Sequence, residues 1–235
     1  MQNCKDGLCQ MPAYDVKSKN NYNQDEKTLF YIGDPMCSWC YGFFGELKTI
    51  HEFCTKNGIK FEIVLGGLRV GGGDEWNETF KSFLRDEWLH IGKKTGQKFS
   101  FSLFELDEFN YDTGPACLAV FIARKMFAEN NDNSLKTLEF FAEIQKAFYE
   151  ENRDITKPQA YESICQSFDI SFDEFCAIFN SARARQELYN DFIKASKLGV
   201  RGMPSLMFMK DGKTTQVAAG YSLAEDVIKR VENLL

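Results

Sequence analysis

The stretch Thr28–Leu47, TLFYIGDPMCSWCYGFFGEL, reads as two elements of different period joined by a turn. Thr28 to Ile32 is rich in aromatic and branched residues and stops at Gly33-Asp34-Pro35, which predicts a short buried strand. From Cys37 the apolar positions Cys40, Phe43, Phe44, Leu47, Ile50 and Cys54 recur at intervals of three and four, so one helix is expected, ending near Asn57-Gly58. Ile59 to Gly67, IKFEIVLGG, is a second apolar, β-prone run. Strand, helix and strand in this order form the unit that pairs its strands in parallel through a crossover, and a sheet covered by helices follows.

Further along, the pattern changes and then changes back. From Gly71 to about Leu198, segments such as DEWNETFKSFLRDEWLHIG, GPACLAVFIARKMFAEN and SLKTLEFFAEIQKAFYEEN carry spaced apolar residues on polar backgrounds, predicting a block of helices. Pro115 suits a first helical turn, and Ser171 with Glu174 matches a capping box. Gly199 ends the last helix of the block. SLMFMK then reads as a strand, Asp211-Gly212 as a hairpin turn, TTQVAAG as its partner strand, and LAEDVIKRVENLL as an amphipathic closing helix.

Composition limits the function classes. Of 235 residues, 44% are hydrophobic and 14% aromatic, enough for a sizeable core. The net charge of -6 arises from mixed signs along the chain, with no basic stripe to neutralise phosphates, so no nucleic-acid partner is expected. The opening MQNCKDGLCQMPAYDVKSKN has no apolar core of a secretory signal, and apolar runs such as Ala116–Ala123 fall short of a membrane span. The expectation is a soluble, cytoplasmic protein with no membrane partner, and hence mostly reduced cysteines among its eight. Cys54, Cys117, Cys165 and Cys176 sit singly among apolar residues and read as buried, inert thiols.

Cys37 and Cys40 are different. Cys37 stands at a helix start, where backbone N–H groups favour a thiolate, and Cys40 is one turn on, spaced to attack a mixed disulfide formed on Cys37. Ser38 and Trp39 between them bring no charge. A structural zinc would need four ligands, and the sequence holds no second Cys-x-x-Cys and two separated histidines, His51 and His90. Cys4 and Cys9 would have to fold over the site to complete a metal set. Electron exchange is therefore the favoured use of the pair, with no metal. In GVRGMPSLMF (199–208), base rates alone make the Met203–Pro204 bond trans.

Taken together, DPMCSWCYGF, GGLRVG, FNYDTGPACLAVFIARKM, IQKAFYEENRDIT and GVRGMPSLMF resemble the DsbA-like thioredoxin-fold oxidoreductases, in particular the FrnE-like, protein-disulfide-isomerase subgroup. The resemblance spans about residues 28 to 235 and implies an α/β thioredoxin fold with an all-helical insertion. On that layout, residues 1–26 are a polar N-terminal tail, 27–73 and 191–235 the thioredoxin-like domain, and 74–190 the insertion. It further implies Cys37 as the attacking cysteine, Cys40 as the resolving one, and Pro204 in cis facing them. Backbone beside that proline would pair with a bound peptide as an added strand, giving Met203 substrate contacts and low sequence selectivity. Trp39 and Arg69 are assigned to substrate contact as well, and Ser38 and Asp34 to tuning of the thiols. Two departures stand out: LFYIG lacks the buried acid of thioredoxins, and Met203 replaces the usual Val or Thr. Asp34 is the nearest carboxylate, suited equally to shaping the turn and to moving protons.

Remaining features take simpler readings. Gly66, Gly67, Gly71, Gly72 and Gly73 fit neither a Walker loop nor a dinucleotide fingerprint, and suggest a flexible loop near the cysteines with Arg69 exposed. Trp76, Phe80, Phe83, Leu84 and Trp88 have helical spacing and read as core. His51 is placed on the polar side of the first helix and His90 near a helix end, neither catalytic. Cys4 and Cys9 flank Asp6-Gly7, a spacing that permits a tight turn and a small disulfide loop, either inert or an auxiliary redox pair.

The expected function is thiol–disulfide oxidoreductase or isomerase on protein or peptide thiols, without organic cofactor, glutathione being the candidate co-substrate. Dithiol proteins span roughly -270 to -120 mV, and a reducing cytosol holds most such pairs as dithiols, favouring reduction or isomerisation, with the thioredoxin or glutathione system as reducing partner. A glutathione-dependent isomerase or transferase of the same architecture, or a non-enzymatic adaptor or holdase, are the alternatives.

Overall fold

A computed structural model describes residues 4–5, 7–12, 14, 26–129 and 134–235. Its centre is a four-stranded sheet in the order β4-β3-β6-β7, formed by β3 (Thr28–Gly33), β4 (Lys60–Leu65), β6 (Ser205–Lys210) and β7 (Lys213–Ala219). A second, three-stranded sheet joins β1 (Cys4–Lys5), β2 (Leu8–Gln10) and β5 (Gly202–Met203). β3 pairs with β4 in parallel and with β6 antiparallel, so the TLFYIG run is flanked on both sides and all six of its residues are buried. Its alternate side chains serve two cores. Leu29 and Tyr31 join the main cluster, whereas Phe30 and Ile32 pack with Val64, Met207, Met209 and the end of a helix at Ala195 and Leu198. The β6–β7 hairpin turns at Asp211 (φ 52°) and Gly212 (φ 70°), both in the left-handed region that a two-residue hairpin turn requires.

Expected as one helix, the segment after β3 is two: α1 (Ser38–Gly42) and α2 (Phe44–Lys56). The junction falls at Phe43, next to Gly42, where an added Cβ would come within 2.8 Å of Ile91 Cγ2. Glycine lets α3 (Glu78–Thr95) approach α1 this closely, and the Phe43 N–H is shared between the Trp39 and Cys40 carbonyls. His51 also departs from expectation. It is buried on α2, its ring 5.0 Å from that of Phe61 and its Nε2 2.9 Å from Ser134 Oγ, and burial lowers its pKa.

Between β4 and β5 lie α3, α4 (Gly114–Glu129), α5 (Ser134–Tyr149), α6 (Glu162–Ser167), α7 (Phe172–Phe179) and α8 (Ala182–Lys197), the block expected from the 3.6-residue period. The expected boundary at 190/191 falls inside α8. Ser171 caps α7 by accepting the Glu174 N–H, and α9 (Ala224–Glu232) closes the chain. Trp88, fully buried, is surrounded by Phe99, Phe104, Phe148 and Tyr149 with ring centroids 4.8–6.0 Å away. One continuous core thus runs from the sheet into the helices.

Edge strand β4 is tied to this block by an ion pair. Arg124 and Asp191 meet at 2.8 and 3.0 Å, while Arg124 Nη1 donates to the Ile63 carbonyl and Asp191 accepts the Leu65 N–H. Main-chain groups that an edge leaves open are thereby satisfied.

Residues 1–26 are not simply a polar tail. β1 and β2 form a hairpin, Cys4 opposite Cys9, closed by a Cys4–Cys9 disulfide, as the spacing permits. Asp6 of the expected turn lies outside the described residues; Gly7 has φ +81°. Among the described residues no helix is long and apolar enough to cross a membrane.

Candidate functional site

The Gly33-Asp34-Pro35 stop works by hydrogen bonding. Asp34, fully buried, accepts the Met36 N–H at Oδ1 (2.8 Å) and the Leu68 N–H at Oδ2 (2.7 Å), and the Cys117 thiol donates to Oδ2 (3.3 Å). One carboxylate therefore fixes both the turn before α1 and the loop after β4. Burial raises its pKa, against the pull of these donors.

That turn delivers Cys37 to the N-cap of α1, with Cys40 one turn along; both are free thiols and fully buried. Cys37 Sγ donates to the Met203 carbonyl at 3.8 Å. The Met203–Pro204 bond is cis, against the base rate and in agreement with the resemblance. Cys37, Cys40, Trp39 and Met203 share one apolar cluster with Cys9, Leu68 and Ile91.

The thiolate expectation for Cys37 is corrected here. Burial pushes its thiol well up; the adjacent Cys40 thiol pushes the same way, the Cys40 N–H pulls down, and the Asp34 charge adds a smaller push up. A helix start favours a thiolate only where the sulfur keeps some solvent, and this one keeps none.

Substrate-contact residues are also repositioned. Trp39 is buried, its Nε1 bonded to Glu87 Oε2 at 3.0 Å and its ring 5.6 Å from His90 and 6.1 Å from Tyr221. Arg69 is not exposed. Its guanidinium pairs with Asp74 and lies over Phe80 (4.9 Å) and Tyr111 (5.8 Å), so it holds the loop from inside. The glycine loop's donors are taken as well, Gly71 N by Asp112 and Gly73 N by Asn110. Met203 is fully buried, its Cε lodged over Gly66, and its backbone edge is taken by β2. Ser38, the first residue of α1, is buried. Cys54, Cys117 and Cys165 are buried thiols, as expected, whereas Cys176 is only half-buried.

Three residues were missed by reading the sequence. The Tyr111 hydroxyl donates to the Met36 carbonyl at 2.8 Å, bracing the residue before Cys37. The Tyr31 hydroxyl, fully buried, lies beside the Cys40 thiol, its strongest electrostatic neighbour. Both belong to aromatic runs that look like plain core. Gly202 is the third: an added Cβ would meet the Cys9 carbonyl at 2.6 Å. Cys4 and Cys9, the residues that would complete a metal set, are bonded to each other in the structure.

Three comparisons bear on this geometry. A thioredoxin family model matches residues 123–225. A "putative protein disulfide isomerase" from Nitrosomonas europaea is similar in structure at 26% identity and TM-score 0.77, over 89% of this chain and 97% of that one. The cytosolic disulfide reductase DsbM from Pseudomonas aeruginosa is similar at 23% identity and TM-score 0.67, over 88% and 98%, and its structure with glutathione gives 22% and 0.65. No curated protein matches the chain in sequence. The fold is that of the DsbA-like thioredoxin oxidoreductases.

Proposed function

We propose that this chain, which has the DsbA-like thioredoxin fold, is a thiol–disulfide oxidoreductase acting on protein or peptide disulfides through Cys37 and Cys40. The observation that carries the reading is the meeting of Cys37, at the N-cap of α1, with the Met203 carbonyl at 3.8 Å while Cys40 waits one turn along. Cys37, once deprotonated, attacks a substrate disulfide and expels one substrate thiolate. Cys40 then attacks the Cys37 sulfur of the mixed disulfide and releases the second thiolate, leaving Cys37–Cys40 oxidised and the substrate reduced by two electrons. An extended peptide would hold its disulfide there by pairing with the β5 edge in place of β2, a main-chain contact that implies low selectivity.

Reduction or isomerisation in the cytoplasm is the favoured direction, supported by the likeness to a cytosolic disulfide reductase. Glutathione is the proposed recycling thiol, since a protein of this fold has been seen with it. Insulin reduction with glutathione as electron source is the test. Cys37→Ser should lose the activity, and equal rates for variant and parent would remove the assignment.

A further inference from the structure

The edge of β5 is occupied in the structure by the chain's own N-terminus. Cys9 pairs with Met203 and Gln10 with Gly202 in antiparallel register, and the Met11 N–H donates to the Arg201 carbonyl at 3.1 Å. At the hairpin tip the Gly7 carbonyl accepts the Tyr221 N–H at 3.0 Å, and a Cβ on Gly7 would lie 3.6 Å from Trp39. The seat is shaped for the hairpin. Gly202 lacks the positive φ that would call for glycine, yet any side chain there would run into the Cys9 carbonyl and Leu8.

What the hairpin carries is a disulfide. Cys9 is buried in the same apolar cluster as Cys37 and Cys40, and Cys4, half-buried, packs against that cluster. Across the strand pair Cys9 is the residue opposite Met203, whose carbonyl receives the Cys37 thiol. The geometry is that of a disulfide-bearing peptide laid along β5.

We propose that Cys4–Cys9 is a built-in redox partner of Cys37–Cys40, and the argument rests on the oxidoreductase reading above. Cys37 attacks Cys9 Sγ, and Cys4 leaves as a thiolate that takes a proton from solvent. Cys40 then attacks Cys37 Sγ and expels Cys9. Two electrons pass from one pair to the other; the dithiol at 37 and 40 becomes a disulfide, the disulfide at 4 and 9 a dithiol, and two protons move with the electrons. The reverse sequence returns them.

The test uses full-length Cys4→Ser/Cys40→Ser, with and without Gly202→Val. The reduced proteins receive one equivalent of oxidised glutathione, are quenched with acid, and are mapped by peptide mass spectrometry. A Cys9–Cys37 link should form in most of the monomer at a rate independent of protein concentration, and Gly202→Val should slow it at least about tenfold. Glutathione on Cys37 with no link to Cys9, or a link indifferent to Gly202→Val, overturns the relay. With all other cysteines intact, Cys37→Ser should slow reduction of Cys4–Cys9 by dithiothreitol about tenfold; an unchanged rate overturns it equally. Insulin reduction separates the two levels: Cys37-dependent activity without the Cys9–Cys37 link removes the relay alone, whereas activity indifferent to Cys37→Ser removes the reading beneath it.

Discussion

The Cys37 thiol lies 3.8 Å from the carbonyl oxygen of Met203, the residue that Cys9 faces across the β2–β5 pair. A single residue thus meets both the sulfur and the docked hairpin. Since both sit in a dry cluster, whatever covers the β5 edge also governs how readily Cys37 ionises.

Alkylation of Cys37 should report this directly. Its thiol is pushed up by burial, so the thiolate fraction is small at neutral pH and grows with pH. Iodoacetamide labelling of the reduced protein should rise about tenfold per pH unit and show no plateau below about pH 9, past the ordinary thiol value of about 8.5. Gly202→Val, which drives Cys9 from the β5 edge, should move the profile to lower pH. A plateau near pH 6 in the parent would contradict the burial effect.

Steady-state insulin reduction should respond through KM when the hairpin alone is loosened. A peptide competing for β5 meets an edge already filled, which lowers its apparent affinity by the fraction of molecules that are open. Gly202→Val would block a bound peptide as it blocks Cys9, whereas Gly7→Val strains the hairpin tip at φ +81° and crowds Tyr221 while leaving β5 unchanged. Gly7→Val should therefore lower KM about threefold or more. An increase in KM would mean that the hairpin helps to bind substrate.

Arg69→Met should damage stability and spare substrate affinity. Arg69 is only 8% exposed, paired to Asp74 and stacked over Phe80 and Tyr111, so its loss leaves a half-buried carboxylate without its partner. A cost of about 1–3 kcal/mol is expected, read as a fall in Tm of several degrees at unchanged KM. A raised KM at unchanged Tm would restore the exposed, substrate-facing arginine.

Asp191→Ala should be more damaging than a surface charge deletion. It strips Arg124 of its partner and leaves the Leu65 N–H of the edge strand unsatisfied. Side-chain exposures of 25% and 13% place the pair below a fully buried one, so about 2–3 kcal/mol is expected from urea unfolding. Asp191→Asn, which keeps an acceptor for Leu65, should recover part of the loss.

Much of this architecture was legible in the residues, for identifiable reasons. TLFYIG could be read as a buried strand because no polar residue interrupts it, and Asp211-Gly212 could be read as a hairpin because few residues tolerate two successive positive φ values. The spacing of Cys37 and Cys40 likewise set them one turn apart. What failed was exposure. Local context places Arg69 and His51 at the surface, whereas long-range packing from Phe80 and Phe61 encloses them. The Cys37 ionisation went wrong for the same reason, since a helix start is a local property and dryness is a tertiary one. Gly202 was the one overlooked local signal: a glycine beside a short strand, with ordinary backbone angles, marks another chain segment close by.

Docking of the hairpin also sets a concentration scale. Because Cys9 and Met203 belong to one polypeptide, the hairpin meets β5 at an effective concentration on the order of millimolar, however dilute the protein. A loose peptide present at micromolar levels would be outcompeted unless it gripped the edge far more strongly, so the tether acts as a threshold that filters transient encounters from committed ones.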